Sequence, residues 1–266
     1  MNKIERLVAR ALFLMPLLWA SASSYAQSPF DGTWRINLDQ AKMSPKPSVF
    51  SVNKGMYDCS SCSPKVHVKA DGQDQSVIGQ PYDTISVREI DAKSIAITTK
   101  KGGKTVSEQT RTVSDDGKTL TAKITGHPEN SDETVSVEVT ATRVGKAPAG
   151  ANGTSGSWQN NKVNESENGL ITTYKSNGDE LSMSTPTGVS YAAKLDGKEY
   201  PAKGSYNFNS VSLRRIDDRT MEETDKRHGK VIDVSRITVS PDGKRMTTVT
   251  TNKPTGRIST FVAEKQ

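Results

Sequence analysis

An internal repeat is the feature that most constrains the fold of this chain. Residues 86–121 align with residues 212–247 without a gap, and 15 of the 36 aligned positions are identical. Upstream, Trp34 and Trp158 each follow a Gly-X pair at the start of one copy. A repeat of about 125 residues is too long for a solenoid unit, so it indicates two tandem domains.

Period-two alternation of apolar and polar residues predicts β-strands in both copies. Ile85 and Val87 alternate with polar residues in the first copy, as do Val211 and Leu213 in the second. Asp-Gly and Gly-Gly pairs separate the runs and are typical of hairpin turns, because glycine accepts positive φ. About eight strands per copy, joined by short turns, predict a meander that closes into a barrel. We therefore predict an all-β fold of two tandem small antiparallel up-and-down β-barrels.

The domain boundaries follow from the repeat and from composition. We place the first barrel repeat at residues 27–144, a linker at 145–155 and the second barrel repeat at 156–266. Glycine, proline and small residues dominate 145–155, as is typical of linkers. The boundary itself is predicted near Gly150.

The N-terminus has the composition of a secretory signal peptide. Lys3, Arg6 and Arg10 precede an apolar stretch at 11–20, and small residues stand at the cleavage positions of Ser24-Tyr25-Ala26. The apolar stretch is short for a membrane span, although an uncleaved anchor is the alternative. We expect residues 1–26 to be removed and the mature protein to be periplasmic or extracellular, with no membrane insertion after cleavage.

Charge argues against a nucleic-acid partner. The chain has 36 basic and 30 acidic residues and a formal net charge of +6. Removing residues 1–26 leaves 33 basic and 29 acidic residues, a net charge of +4. The signs alternate along the chain, whereas nucleic-acid binders cluster basic residues with stacking aromatics.

The Gly-X-Trp start and the meander of hairpins resemble lipocalin and fatty-acid-binding (calycin) barrels. More closely, the chain resembles secreted bacterial proteins, largely uncharacterised, that carry one or two lipocalin-like domains and have strings similar to those at 193–201 and 239–244. The resemblance implies that each tryptophan, Trp34 and Trp158, plugs one end of a barrel and packs against a cation of a final strand. Arg143 and Lys265, near the ends of the two copies, are the candidate cations.

The same resemblance implies a small apolar or amphipathic ligand inside one or both barrels. Tyr174, Tyr191 and Tyr200 of the second copy are candidate lining residues, although the sequence does not fix which face they take. The chain departs from true lipocalins because each copy is shorter and lacks a second lipocalin signature between the middle strands. The alternative is therefore an envelope or extracellular protein-interaction module whose barrels are filled with side chains. An interior cavity of a few hundred cubic ångströms would favour the ligand.

Cys59 and Cys62 are the two cysteines of the chain. In an oxidising compartment this spacing predicts a small local disulfide, and a redox site and metal binding are the alternatives. No helix start follows that would lower a thiol pKa. The second copy lacks the pair, so the fold does not depend on it.

No catalytic constellation emerges from the sequence. His67, His127 and His228 are scattered without metal-ligand spacing. Adjacent carboxylates such as those at 115–116, 217–218 and 222–223 point to opposite faces of a strand and cannot act as an acid–base pair. We predict a non-catalytic binding protein without a cofactor or a metal, and its protein partners, if any, are not indicated.

Overall fold

The computed structural model describes residues 28–266. The predicted signal peptide, residues 1–26, lies outside this range. Strand β1 (Gly32–Lys42) is followed by ten further strands before the first helix. These are β2 (Ser48–Asn53), β3 (Met56–Cys59), β4 (Val66–Lys69), β5 (Gln75–Ser76), β6 (Thr84–Asp91), β7 (Ser94–Lys101), β8 (Lys104–Val113), β9 (Thr119–Gly126), β10 (Val135–Gly145) and β11 (Gly156–Glu165).

A one-turn helix, α1 (Glu167–Leu170), separates them from nine more strands. These are β12 (Ile171–Asn177), β13 (Glu180–Ser184), β14 (Ser190–Lys194), β15 (Asp196–Lys203), β16 (Ser210–Asp217), β17 (Thr220–Arg227), β18 (Lys230–Val239), β19 (Arg245–Asn252) and β20 (Arg257–Lys265). Within residues 28–266, no helix has the length and apolar character needed to cross a membrane.

The strands form two ten-stranded antiparallel sheets, which confirms the predicted all-β class with two barrels. The first barrel consists of β2 to β11, in the order β4-β3-β2-β11-β10-β9-β8-β7-β6-β5. The second barrel consists of β1 and β12 to β20, and it is fully closed. Each barrel therefore has ten strands rather than the eight expected from the sequence.

The two barrels are nested in sequence rather than tandem. In sequence, the segment that forms the first barrel is inserted between β1 and β12. These two strands are neighbours in the second barrel, where β1 pairs with both β12 and β20. In the first barrel the final strand, β11, pairs with β10 and with β2. The Trp34 strand of the first repeat thus completes the second barrel, and the Trp158 strand of the second repeat completes the first.

This arrangement corrects the predicted division into barrels at 27–144 and 156–266. Its physical reason is the hairpin between β10 and β11, which lets β11 pair with the strand that directly precedes it. Sequentially adjacent strands pair most readily, because the loop that joins them is short. Strand β1 is then left to fill the equivalent position in the second barrel.

The predicted linker at 145–155 is the loop of that hairpin, and its second half is packed against the first barrel. Asn152 is buried, and its Nδ2 atom donates to the carbonyl of Asp91 at 2.7 Å. The Asn152 backbone N–H donates to the carbonyl of Val52 at 2.8 Å. The region near Gly150 is therefore part of a domain and not a boundary between domains.

A gap remains in the first barrel between β4 and β5. The side chain of Gln75 spans it, because its Oε1 accepts from the backbone N–H of Lys69 at 2.8 Å and its Nε2 donates to the Lys69 carbonyl at 2.7 Å. One amide thus replaces a pair of ladder hydrogen bonds at Lys69, the last residue of β4.

Period-two alternation places one face of each strand inside. Val87 and Ile97 belong to the core of the first barrel, and Val211 and Leu213 belong to that of the second. Burial of this apolar surface is the main driving force for closing each sheet.

Candidate functional site

The two tryptophans occupy equivalent places at one end of the barrels. Trp34 and Trp158 are 0% and 1% exposed. The Nε1 atom of each donates to the backbone carbonyl four residues earlier, which belongs to Phe30 at 2.7 Å and to Thr154 at 2.8 Å, respectively. This bond satisfies the one polar atom of the indole, so its rings can be buried without a desolvation penalty.

A cation lies over each indole. The guanidinium carbon of Arg143 is 4.1 Å from the Trp158 ring centroid, and Nζ of Lys265 is 5.3 Å from that of Trp34. Each cation thus faces the tryptophan of the other sequence repeat, as the nested topology requires. Arg143 also donates to three backbone carbonyls, whereas no such bond is formed by the Lys265 side chain within residues 28–266.

The glycine of each Gly-X-Trp motif makes room for the cation. Gly32 and Gly156 have φ values of +127° and +133°, which favour glycine. A Cβ atom at Gly32 would lie 2.5 Å from Cε of Lys265, and one at Gly156 would lie 2.6 Å from Nη1 of Arg143. Glycine, tryptophan and cation therefore form one packing unit at the closed end of each barrel.

Beside Trp158, the first barrel has a partly open cavity of about 340 Å³. Apolar side chains form the larger part of its wall. The polar residues on the wall are Ser48, Ser61, Ser63, Gln109, Arg111, Asn160, Thr255 and Arg257. The apolar lining consists of Phe50, Leu120, Ala122, Ile124, Val139, Ala141 and Trp158. This volume and mixture are those of a small-molecule pocket.

Arg111 lies on this wall together with Arg257, and it has no ionic partner within residues 28–266. Its guanidinium carbon lies 4.3 Å from the Phe50 ring centroid, Nη1 donates to the hydroxyl of Tyr57 at 3.4 Å, and Nε donates to Oε1 of Gln109 at 3.1 Å. The arginine ion pairs of residues 28–266 involve Arg35 and Arg214 instead. An arginine stays protonated at all physiological pH values, so this cavity carries a permanent positive charge.

The second barrel contributes to the edge of the cavity. Thr255 lies in the β19–β20 turn of the second barrel, and Arg257 is the first residue of β20. Both line the cavity of the first barrel. The Arg257 Nη2 atom donates to the Pro47 carbonyl at 2.5 Å, and Lys46 Nζ donates to the Thr255 carbonyl at 3.1 Å. These bonds hold the turn against the first barrel. Burial lowers the pKa of Arg257 from its ordinary value. The side chain nevertheless stays charged, because an arginine is protonated at all physiological pH values.

Cys59 and Cys62 form a disulfide bond, so that prediction is confirmed. Both residues line the same cavity, and Cys59 belongs to the buried core of the first barrel. Because the bond connects the end of β3 to the following loop, it fixes part of the cavity wall.

The three tyrosines proposed as lining residues lie in the second barrel. Tyr174 and Tyr191 are buried in its core, and Tyr200 packs at the edge of that core. The Tyr191 hydroxyl donates to Glu223, and the Tyr200 hydroxyl donates to Asp196 at 3.1 Å. None of these tyrosines lines the cavity of the first barrel.

The histidines stay on or near the surface. His67 is exposed and contacts Asp58, with Nδ1 2.5 Å from Oδ1, and His127 lies 3.4 Å from Glu108. His228 is exposed in the turn between β17 and β18. In the part of the chain that the structure describes, no group of three or more His, Cys, Asp or Glu side chains is arranged to hold a metal ion.

A wider depression of about 740 Å³ lies across β6 to β11. Its lining includes outward-facing side chains of both charge signs, among them Lys123, Glu108 and Glu138. Because half of its polar lining residues are exposed to solvent, this depression is more open than the cavity beside Trp158.

No model of a known protein family matches this chain, and no curated protein matches it as a relative. The molecule is therefore described by its own architecture: two nested antiparallel β-barrels, one of which has a largely apolar cavity lined by two arginines, Arg111 and Arg257, that form no ion pair within residues 28–266.

The sequence reasoning did not single out Arg111, although a signal for it exists. Arg111 and Val113 are two residues apart on β8, and they therefore share the inner face. A charged residue at an inward position of a barrel strand is uncommon and often indicates a binding site. The same signal marks Glu223 and Asp225, which follow the buried Met221 at intervals of two residues on β17.

Proposed function

We propose that this protein is an exported, non-catalytic binding protein whose first barrel takes up a small amphipathic molecule with an anionic head group. The observation that carries the proposal is the guanidinium of Arg111, which forms no ion pair, on the wall of a largely apolar cavity of about 340 Å³. A partly buried cation without a counter-ion gains most from an anionic ligand, because a charge-assisted hydrogen bond replaces contacts to neutral groups.

The ligand would lie with its apolar part against Trp158, Leu120 and Ala122 and with its head group at Arg111. A carboxylate matches the planar fork of a guanidinium, which can donate two parallel hydrogen bonds to it. Gln109 and Asn160 border the same space and supply further polar contacts. The apolar walls contribute through burial, at about 25 cal/mol per Å² of apolar surface.

The resemblance to secreted proteins with lipocalin-like domains and the signal-like residues 1–26 support export. A disulfide between Cys59 and Cys62 fits an oxidising compartment, since disulfides are rare where thiols are kept reduced. The cavity favours a small-molecule ligand over a first barrel filled with side chains, which was the alternative.

The test compares two ligands of equal chain length, dodecanoate and dodecan-1-ol, on the mature protein and on Arg111→Met. Methionine keeps much of the apolar volume of the arginine stem but removes the charge. We expect the substitution to weaken dodecanoate binding by roughly 10- to 100-fold, which corresponds to the loss of a hydrogen bond to a charged group. Binding of the alcohol should change less than threefold, because it has no charge for Arg111 to neutralise.

A matched control is Arg35→Met, which removes an arginine from the exposed ion pair with Glu167 in the second barrel. This variant should bind dodecanoate like the wild type. Equal dodecanoate affinity in the Arg111→Met protein, or no binding of either ligand to the wild type, would contradict the proposal.

A further inference from the structure

Three carboxylates line the inner wall of the second barrel at the end opposite to Trp34. Glu223 and Asp225 alternate on β17, and Asp233 lies directly opposite Asp225 on β18. Asp233 in turn faces Asn252 on β19, whose Nδ2 atom donates to Asp233 Oδ1 at 2.9 Å. This row adjoins the β17–β18 and β19–β20 turns, and we call this end of the barrel its mouth. We name Glu223, Asp225 and Asp233 the acidic row.

The acidic row has one nearby cation but takes part in no ion pair within residues 28–266. Asp225 is only 9% exposed, and its Oδ1 atom has no hydrogen-bond partner. The ion pairs of residues 28–266 include no member of the row. Arg227 is the nearby cation that acts on Asp233, but its guanidinium donates to the carbonyls of Asn207 and Gly79. A buried acceptor left without a donor is costly, which indicates that a donor from outside the chain fits here.

The fold does not need these charges. The repeat alignment places Ile97, Thr99 and Ser107 of the first barrel at the positions of Glu223, Asp225 and Asp233. Ile97 and Thr99 are buried at the matching inner positions of β7, so a neutral set packs the same architecture. The acidic row is therefore a property of the second barrel alone.

Two aromatic side chains lie beside the row. Tyr174 and Tyr191 are buried, and the Tyr191 hydroxyl donates to Glu223. Burial and the nearby charge of Glu223 raise the pKa of both tyrosines well above the ordinary value, so both stay protonated. Aromatic faces next to carboxylates form the kind of surface that binds ammonium groups.

We propose that the acidic row, with Tyr174 and Tyr191, is a binding site for a small organic ammonium ion that enters through the mouth of the second barrel. The ammonium group would donate to Asp225 and Glu223, and its carbon atoms would lie against the tyrosine rings. Glu223 and Asp233 are partly exposed, so solvent reaches the row. A metal ion fits less well, since no group of three ligating side chains in residues 28–266 has the arrangement that a metal needs.

Protons compete with this ligand. Burial raises the pKa of all three carboxyl groups, and together with the charges of Glu223 and Asp233 it raises the pKa of Asp225 to about 9. Asn252 and Arg227 oppose the shift at Asp233, and Tyr191 opposes it at Glu223. At neutral pH the free row therefore retains a proton that a bound ammonium ion displaces. Ammonium binding should tighten as the pH rises from 6.5 to 8.5.

The experiment is an NMR titration of the mature protein, labelled at the methionine methyl groups, with n-butylammonium chloride. Met221 and Met183 are buried in the core of the second barrel, and Met221 lies two residues from Glu223 on β17. We expect shifts at these methyl groups that saturate with butylammonium, and an affinity that rises at least fivefold between pH 6.5 and 8.5. 1-Butanol, which has the same carbon chain without the charge, should bind at least tenfold more weakly at pH 8.5.

Two variants separate the site from general effects. Asp225→Asn keeps the shape of the side chain, and the triple change Glu223→Ile, Asp225→Thr, Asp233→Ser installs the residues of the first barrel. Both should lower butylammonium affinity at least tenfold at pH 8.5, whereas Asp116→Asn, which removes an exposed carboxylate in the β8–β9 turn of the first barrel, should leave it unchanged. Wild-type affinity in the Asp225→Asn variant, equal binding of 1-butanol, or saturable shifts with magnesium or calcium but none with butylammonium would overturn the proposal.

Discussion

The ammonium nitrogen of Lys265 lies 5.3 Å from the ring centroid of Trp34, so the last strand of the chain packs against the first. Strand β1 brings Trp34 into register with Lys265 and thereby closes the second barrel. The first barrel, residues 48–165, lies entirely between these two contacts in sequence. The second barrel therefore depends on both ends of the described chain, whereas the first depends on neither.

The nested topology predicts which fragments fold. A fragment of residues 46–166 contains all ten strands of the first barrel and should fold alone, with a cooperative unfolding transition. A fragment of residues 27–150 lacks β11 and should be unfolded, because a free edge and an unfilled core remain where Trp158 belongs. Circular dichroism and fluorescence-detected urea unfolding of both fragments provide the measurement. A stable, cooperative 27–150 fragment would instead support domains that follow the repeats.

The two cations at the closed ends should differ in their contributions to stability. Arg143 donates to the carbonyls of Gly117, Gly153 and Ser155 and stacks on Trp158, so Arg143→Ala should lower the free energy of unfolding by about 2–3 kcal/mol. Lys265 is exposed and its side chain donates no hydrogen bond within residues 28–266, so Lys265→Ala should cost only about 0.5 kcal/mol.

Urea unfolding followed by tryptophan fluorescence measures both effects. Trp158 reports on the first barrel and Trp34 on the second, so a single-tryptophan background assigns each transition to its barrel. If the two substitutions lower the free energy of unfolding equally, the hydrogen bonds from Arg143 to backbone carbonyls contribute little to stability.

The acidic row predicts that the second barrel loses stability as the pH rises. The pKa of Asp225 is raised from 3.8 to about 9 in the folded protein, so between these values the folded chain holds a proton that the unfolded chain has lost. The free energy of unfolding should therefore fall with increasing pH in this window, by up to about 1.4 kcal/mol per pH unit for one group. Asp225→Asn should flatten this dependence and should be the more stable protein at pH 8.

Thermal unfolding at pH 5, 6.5 and 8 measures that slope. Asp116→Asn is the control, because the pKa of this exposed carboxyl is lowered by its bonds to Ser114 and Lys118 rather than raised. A wild-type slope that Asp225→Asn leaves unchanged would assign the pH dependence to other groups.

The disulfide should affect the first barrel alone. Its loop is very short, so by chain entropy the bond contributes about 2 kcal/mol or less. Cys59→Ser combined with Cys62→Ser should therefore lower the stability of the first barrel modestly, leave the second barrel unchanged, and weaken dodecanoate binding because both residues line the cavity. Unfolding of the second barrel in step with the first would indicate a coupling that the disulfide alone does not explain.

The sequence predicts the strand class well because alternation is a local property. Val87 and Val211 lie inside their barrels, as the period of two requires. The exchange of β1 and β11 has no such local signal: Trp34 and Trp158 have equivalent motifs, and either strand fits either barrel. Which of the two strands completes the first barrel depends on which one directly follows β10 in the chain, and that strand is β11. The prediction of one barrel per repeat did not take this into account.

The candidate sites were harder to predict for a different reason. The role proposed for Arg111 depends on the absence of a counter-ion. That absence can be judged only when all the residues of the barrel interior are known. The acidic row combines side chains from β17 and β18 whose register the sequence does not state. A position-by-position comparison of the two repeats indicates both Arg111 and the acidic row, because a charged residue of one repeat aligns with a neutral residue of the other. Arg111 aligns with Ile237, and Asp225 aligns with Thr99.

Native mass spectrometry of the protein purified from its native source, followed by organic extraction, tests the central claim most directly. The account predicts a near-stoichiometric anionic amphiphile on the wild-type protein and its loss from the Arg111→Met variant. A wild-type mass equal to the bare disulfide-bonded chain, or an equally occupied Arg111→Met protein, would contradict it.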